Sequence, residues 1–203
     1  MYRELSYRIR DKKRKVIPMG KIVLVTGGSR SGKSTFAENY AAKYGKHIAY
    51  VATAQIYDEE MQYRVDLHQQ RRPSSWKTYE CPYEAETAIR DASKDHDMIL
   101  FDCITLYITN VLLRDYHAEE LAHHYDVVTT AIKRLIESVQ ESDSTVIFVT
   151  NEVGAGIVPG DALSREYRDL AGLANQLVAA AANEVYLVTC GLATEIKRNA
   201  IIL

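Results

Sequence analysis

The segment Gly27–Ser34, GGSRSGKS, constrains this chain more than any other stretch. It follows the apolar run Lys21-Ile22-Val23-Leu24-Val25-Thr26, which is of strand type, and opens a helix-type stretch from Ser34 to Tyr44. Gly27, Gly32, Lys33 and Ser34 satisfy the spacing G-x-x-x-x-G-K-[ST] in the strand–loop–helix setting that gives the pattern its meaning. Glycines let the backbone wrap a phosphate and turn several N–H groups inward, while the helix N-terminus adds its positive dipole end. Gly27, Gly28, Ser29, Arg30, Ser31 and Gly32 therefore read as a phosphate cradle. Lys33 would reach the β- and γ-phosphates, and the Ser34 hydroxyl would bind Mg²⁺. The implied ligand is a nucleotide.

A chain of 203 residues holds one well-packed α/β domain and is short for two. Its net charge of −2 gives no reason to expect nucleic acid as the main partner. Cys81, Cys103 and Cys190 form an odd, unpatterned set, which points to a reduced cytoplasm. No apolar run approaches the length that spans a bilayer. Residues 1–20 differ from the rest: seven basic residues (Arg3, Arg8, Arg10, Lys12, Lys13, Arg14, Lys15) face only Glu4 and Asp11. This stretch reads as a solvated basic extension ahead of a single domain at 21–203, and Met19 is an alternative start.

In chain order, 35–44 reads as a helix ended by Gly45, 47–53 as a second strand and 58–70 as a charged helix. Arg71-Arg72-Pro73 breaks that helix. A short strand at 76–80, a small helix at 84–93 and a buried-type strand at 98–102 follow, the last ending in the acid Asp102. Helices are expected at 105–114, 118–140 and 161–182, and a core strand at 145–150. The second of these helices carries Leu121, Tyr125, Val128, Ile132, Leu135 and Val139 on one stripe. The third carries Leu163, Tyr167, Leu170, Ala174, Val178 and Ala181. Val185–Thr189 and Ala193–Ile196, joined around Gly191, are expected to pair as a hairpin. Strands alternating with helices imply a mainly parallel sheet covered on both faces.

The chain resembles the bifunctional adenosylcobinamide kinase/adenosylcobinamide-phosphate guanylyltransferase family of cobalamin biosynthesis. The resemblance rests on GGSRSGKS (27–34), VATAQ with the following DEEM and R (51–64), and H-x-x-x-R-P-x-x-W-x-T-x-E (68–80). It continues in DCITL with a following TN (102–110), and in TNEVGAGIVP followed by REYRDLAGLANQ (150–176). It implies a RecA-like P-loop NTPase fold and a homotrimer. It also implies two reactions: phosphorylation of adenosylcobinamide with ATP or GTP, then transfer of GMP from GTP to adenosylcobinamide phosphate, with release of pyrophosphate. By the motif match, His68 would carry the GMP covalently. A neutral imidazole is a good nucleophile and its phosphoramidate is labile enough to be cleaved by the second substrate. The other histidines (His47, His96, His117, His123, His124) read as surface or core-edge residues.

The same match places Ala52, Thr53, Ala54, Arg64, Gln69, Gln70, Arg71, Arg72, Glu80 and Asp102 at the nucleotide. Guanidinium forks suit phosphate oxygens, so Arg64, Arg71 and Arg72 would neutralise the triphosphate, or else pair with nearby acids. Asp102 is expected at Mg²⁺ with Ser34, as the end of the strand beside the P-loop, and Glu80 at the guanosine. Glu152 is either a general base for the kinase step or a carboxylate capping a turn. Arg165, Arg168 and Asp169 would form salt bridges within their helix or close a neighbouring subunit's site. Two other readings stay open: a family member that keeps one activity, and a RecA-like ATPase or nucleotide switch.

Overall fold

Strand β1 (Lys21–Gly27) is buried along most of its length, and its side chains feed two separate cores. A computed structural model describes residues 20–114, 116–117 and 120–201, apart from the side chains of Glu60, Arg64, Leu67, His68, Gln70 and Arg71. The basic extension, but for Gly20, thus lies outside the described residues. After β1 come α1 (Lys33–Tyr44), β2 (Ile48–Ala52), α2 (Glu59–Arg71), β3 (Lys77–Glu80), α3 (Ala85–Ala92) and β4 (Met98–Asp102). Then follow α4 (Ile104–Leu113), α5 (Leu121–Gln140), β5 (Thr145–Asn151), α6 (Ala162–Ala181), β6 (Glu184–Thr189) and β7 (Leu192–Glu195).

The strands form one seven-stranded sheet in the order β3-β2-β4-β5-β1-β6-β7, parallel except for the β6–β7 pair. Because side chains alternate along a strand, Ile22, Leu24, Val51, Phe101 and Phe148 point to the face covered by α3, α4, α5 and α6. Val23, Val25, Tyr50, Leu100 and Val149 point to the face covered by α1. In β1, β2, β4 and β5 both faces are covered, which explains why these strands read as continuous apolar runs.

The helix ends follow local chemistry. Asp58 accepts from the Met61 N–H at 2.7 Å and Asp161 from the Ser164 N–H at 2.8 Å, each satisfying an orphan amide of a first turn. Lys197 Nζ donates to the carbonyls of Ala179, Ala180 and Ala182, closing the C-terminal end of α6. Cys190 (φ 52°) and Gly191 (φ 79°) make the two-residue turn of the β6–β7 hairpin, a geometry that favours glycine at its second position.

Three expectations need correction. Asp102 does not end the strand beside the P-loop: β5 pairs with both β1 and β4 and so separates them. Leu121 (53 % exposed) and Leu163 (39 % exposed) continue the apolar stripes of α5 and α6 in sequence only, since both side chains face away from the core. His124 is neither surface nor core edge. It is buried at 2 % exposure, its Nδ1 lies 2.6 Å from Glu166 Oε1, and its ring stacks on Tyr116. That contact ties α5 to α6, with the Tyr116 hydroxyl donating to the other Glu166 oxygen.

Candidate functional site

All parallel strands deliver their carboxyl ends to one edge of the sheet, where ligands of open α/β folds bind. The loop between β1 and α1 is built there by close backbone contact. A Cβ on Gly27 would stand 2.4 Å from the Val188 carbonyl oxygen. Gly32, with φ 95°, starts α1 in the left-handed region and lies against Gly191. The Gly191 N–H donates to the Ser31 carbonyl at 2.8 Å, so the hairpin turn clamps the loop from outside.

Lys33 is 9 % exposed, and its ammonium donates to the Gly28 carbonyl at 3.1 Å. Burial lowers its pKa below the usual lysine value, with the charges of Cys103 and Asp102 acting in the other direction. A buried cation held by a carbonyl is poised to gain from an anionic ligand.

Lys33 lines a cavity of about 740 Å³ with Ser29, Arg30, Ser31, Gly32 and Ser34, a volume within the usual range for small-molecule sites. Ala52 and Ala54 from the end of β2, Glu80 from the end of β3 and Asp102 from the end of β4 line the same cavity. Helix α2 supplies Met61, Val65 and Gln69, spaced four apart on one face, and Arg72 follows at its C-terminal cap. The structure thus brings together twelve of the proposed nucleotide residues. Gly27 and Gly28 do not line it: Gly27 is buried against Val188, and Gly28 offers its carbonyl to Lys33. Thr53 does not line the cavity. It is fully buried and exchanges hydrogen bonds with Cys103, accepting from its N–H and donating to its carbonyl. The side chains of Arg64, His68, Gln70 and Arg71 lie outside the described residues.

Glu152 stands apart. Its side chain is exposed, is not part of the cavity wall and accepts from the Gly154 N–H at 2.6 Å. That contact is the turn-capping arrangement. Arg165 donates to the carbonyls of Pro159 and Gly160, and Arg168 to that of Gly154, so both arginines hold the 152–160 loop to α6.

Ser34 and Asp102 offer hard oxygen donors to one cavity, a set that suits a Mg²⁺ ion keeping several waters and binding chiefly through phosphates. No group of three or more His, Cys, Asp or Glu side chains suited to a metal occurs among the described residues.

Several wall residues were not anticipated. Tyr50, Asn151 and Leu106 line the cavity. Asn110 works behind it, its amide donating to the carbonyls of Thr53 and Pro82 at 2.8 and 3.1 Å and so joining the loops after β2 and β3. Asn110 lies within a segment that carries the family resemblance, and that was the available signal. Cys103, next to Asp102, is buried, and burial pushes its thiol up to about 11, so it is an inert packing group.

A glycine-clamped loop feeding a lysine into a carboxyl-edge cavity of a parallel sheet defines a P-loop nucleotide-binding α/β protein. In agreement, a solved structure of a prototypical ATPase from the type III secretion system of pathogenic bacteria superimposes with a TM-score of 0.56. That match has 12 % identity and covers 91 % of this chain and 59 % of that one, so it speaks for the fold alone. The family model for cobinamide kinase / cobinamide phosphate guanyltransferase matches residues 23–196. The bifunctional adenosylcobalamin biosynthesis protein CobU of Escherichia coli (strain K12) is 40 % identical over 182 residues, covering 87 % of this chain and 99 % of that protein. CobU of Salmonella typhimurium is 42 % identical over 186 residues, and CobP of Pseudomonas aeruginosa 38 % over 174, spanning 99 % and 96 % of those proteins. The chain belongs to the cobinamide kinase / cobinamide phosphate guanyltransferase family.

Proposed function

We propose that this protein phosphorylates adenosylcobinamide and then guanylylates the product, with both nucleotides gripped in the P-loop cavity. The observation that carries the reading is the convergence of Lys33, Arg72, Glu80 and Asp102 on one cavity that α2 closes from the side. In the first reaction the acceptor hydroxyl attacks the γ-phosphorus of ATP or GTP, and the nucleoside diphosphate leaves. In the second, the His68 imidazole attacks the α-phosphorus of GTP and pyrophosphate leaves. The phosphate of adenosylcobinamide phosphate then displaces the imidazole, giving adenosylcobinamide-GDP. Position 68 belongs to α2, the helix whose Met61 and Val65 line the cavity, and that supports the reading.

Lys33 and Arg72 would hold the phosphate oxygens and offset the charge that builds on the leaving group. Ser34 and Asp102 would hold Mg²⁺, whose chemistry is to draw charge from the phosphates. A nucleophilic histidine splits a phosphate-on-phosphate transfer into two displacements at one nucleotide site. Residues 21–203 act as a single catalytic domain on this reading, with a basic extension before it and self-association as a homotrimer. A single-chain mass by light scattering would refute the trimer. No helix among the described residues is long and apolar enough to cross a membrane. The free thiols Cys81, Cys103 and Cys190 suit a reducing cytoplasm.

The test is incubation with α-labelled GTP and Mg²⁺, then a denaturing gel with acid or hydroxylamine treatment. The expected result is an acid-labile label on the wild type and none on His68→Ala. An unlabelled wild type would refute the covalent route.

A further inference from the structure

Tyr50 belongs to no motif, yet it touches two charged groups of the cavity at once. It sits in the middle of β2, 2 % exposed, on the face shared with α1. Its hydroxyl donates to Asp102 Oδ2 at 2.8 Å. Its ring carries the Arg72 guanidinium, whose central carbon lies 3.2 Å from the ring centroid, an arrangement in which the π-face attracts the cation. Arg72 Nε and Nη1 are buried and find no hydrogen-bond acceptor among the described residues. Buried donors without acceptors are costly, so the guanidinium is held ready for an anion at a position that the ring sets.

We propose that Tyr50 is a positioning residue that fixes the spacing between a phosphate-binding guanidinium and the Asp102 carboxylate, so that the cavity selects a nucleoside triphosphate carrying a divalent cation over the free nucleotide. The proposal rests on the nucleotide reading of the cavity. It goes further by separating two jobs within one side chain. The ring serves the phosphate through Arg72, and the hydroxyl serves the cation through Asp102. Neither job is that of a catalytic residue, since Tyr50 acts through its two neighbours.

The two jobs part on substitution. Titration with a fluorescent N-methylanthraniloyl GTP, with and without Mg²⁺, reads them separately and needs no turnover. Tyr50→Phe keeps the ring and loses the hydroxyl, so it should bind Mg²⁺-free nucleotide as the wild type does and lose about tenfold of the tightening by Mg²⁺, roughly the loss of one charge-assisted hydrogen bond. Tyr50→Leu should weaken binding in both conditions, and Arg72→Ala should reproduce that loss without altering a core residue. Asp102→Asn should abolish the Mg²⁺ tightening, with Tyr50→Phe adding nothing in the double variant. A Tyr50→Phe protein that matches the wild type in Mg²⁺, or loses affinity equally in both conditions, would overturn the assignment. Additive effects with Asp102→Asn would do the same. A wild type that binds no nucleotide would bring down the cavity reading itself, a result distinct from any of these.

Discussion

One wall of the cavity is packed into the sheet, and the wall facing it is not. On the first, the Gly27–Ser34 loop lies against Val188 and Gly191, Lys33 is buried, and α1 contributes Ala37, Tyr40 and Ala41 to the core. On the second, α2 has no buried residue among its described side chains: Met61 and Val65 are half-buried, and Gln62, Tyr63 and Gln69 are exposed. A hydrogen bond from the Gln62 amide to Asp66 and the Asp58 cap hold the helix from within. Elements with few buried apolar contacts open at lower free energy than core elements. The contrast suits the two proposed reactions, one at a γ-phosphorus and one at an α-phosphorus, because a rigid loop can keep each triphosphate while the opposite wall adjusts.

The strongest way to break this division is at Lys33. Lys33→Ala should lower kcat/KM of both reactions by about 10²- to 10³-fold, the cost of removing one preorganised charge-stabilising donor. Its thermal midpoint should not fall, because the variant also removes a desolvated ammonium. Steady-state kinetics with both acceptors and a thermal melt check this. A variant that loses only one activity would show that the loop does not serve both reactions.

A smaller effect separates neighbouring glycines of the same loop. Gly27→Ala forces a Cβ to within 2.4 Å of the Val188 carbonyl and should cost about 1–3 kcal/mol of stability, the usual penalty of overpacking. A Cβ at Gly28 meets nothing within 4 Å, so Gly28→Ala should leave the midpoint nearly unchanged. Equal melting of the two variants would mean that the β6 clamp does not hold the loop.

The packed wall is also the one that could be read in advance. Glycines, a lysine and a hydroxyl at fixed spacing between a strand and a helix specify local geometry without help from the rest of the chain. Strand order is different: β5 slides between β1 and β4 because the two cores select it, and parallel strands carry no register signal in their own residues. Tyr50 was illegible for a related reason. In a five-residue strand buried throughout, one tyrosine looks like packing until Arg72 and Asp102, 22 residues later and 52 residues later, are seen to meet on it. Leu121 and Leu163 fail in the opposite sense, since helical periodicity in the sequence runs on into side chains that are exposed. Glu152 kept two readings in the sequence, and the contact with Gly154 supports the turn.

The finest test concerns the cap of α2. Asp58 accepts the Met61 amide and is exposed, so Asp58→Ala removes one cap and buries nothing new. Lost caps cost about 1 kcal/mol, which multiplies the open population of a helix roughly fivefold. If α2 opens on its own, that cost falls on α2 alone. Amide hydrogen exchange in Glu59–Arg71 should then quicken by about that factor, while amides of β1 and the global midpoint stay where they were. If α2 opens only when the whole sheet does, the same substitution would shift β1 and the midpoint together and leave no local difference. The first pattern keeps the two walls as separate units. The second would make them one, and any adjustment between the two proposed reactions would have to come from the substrate instead.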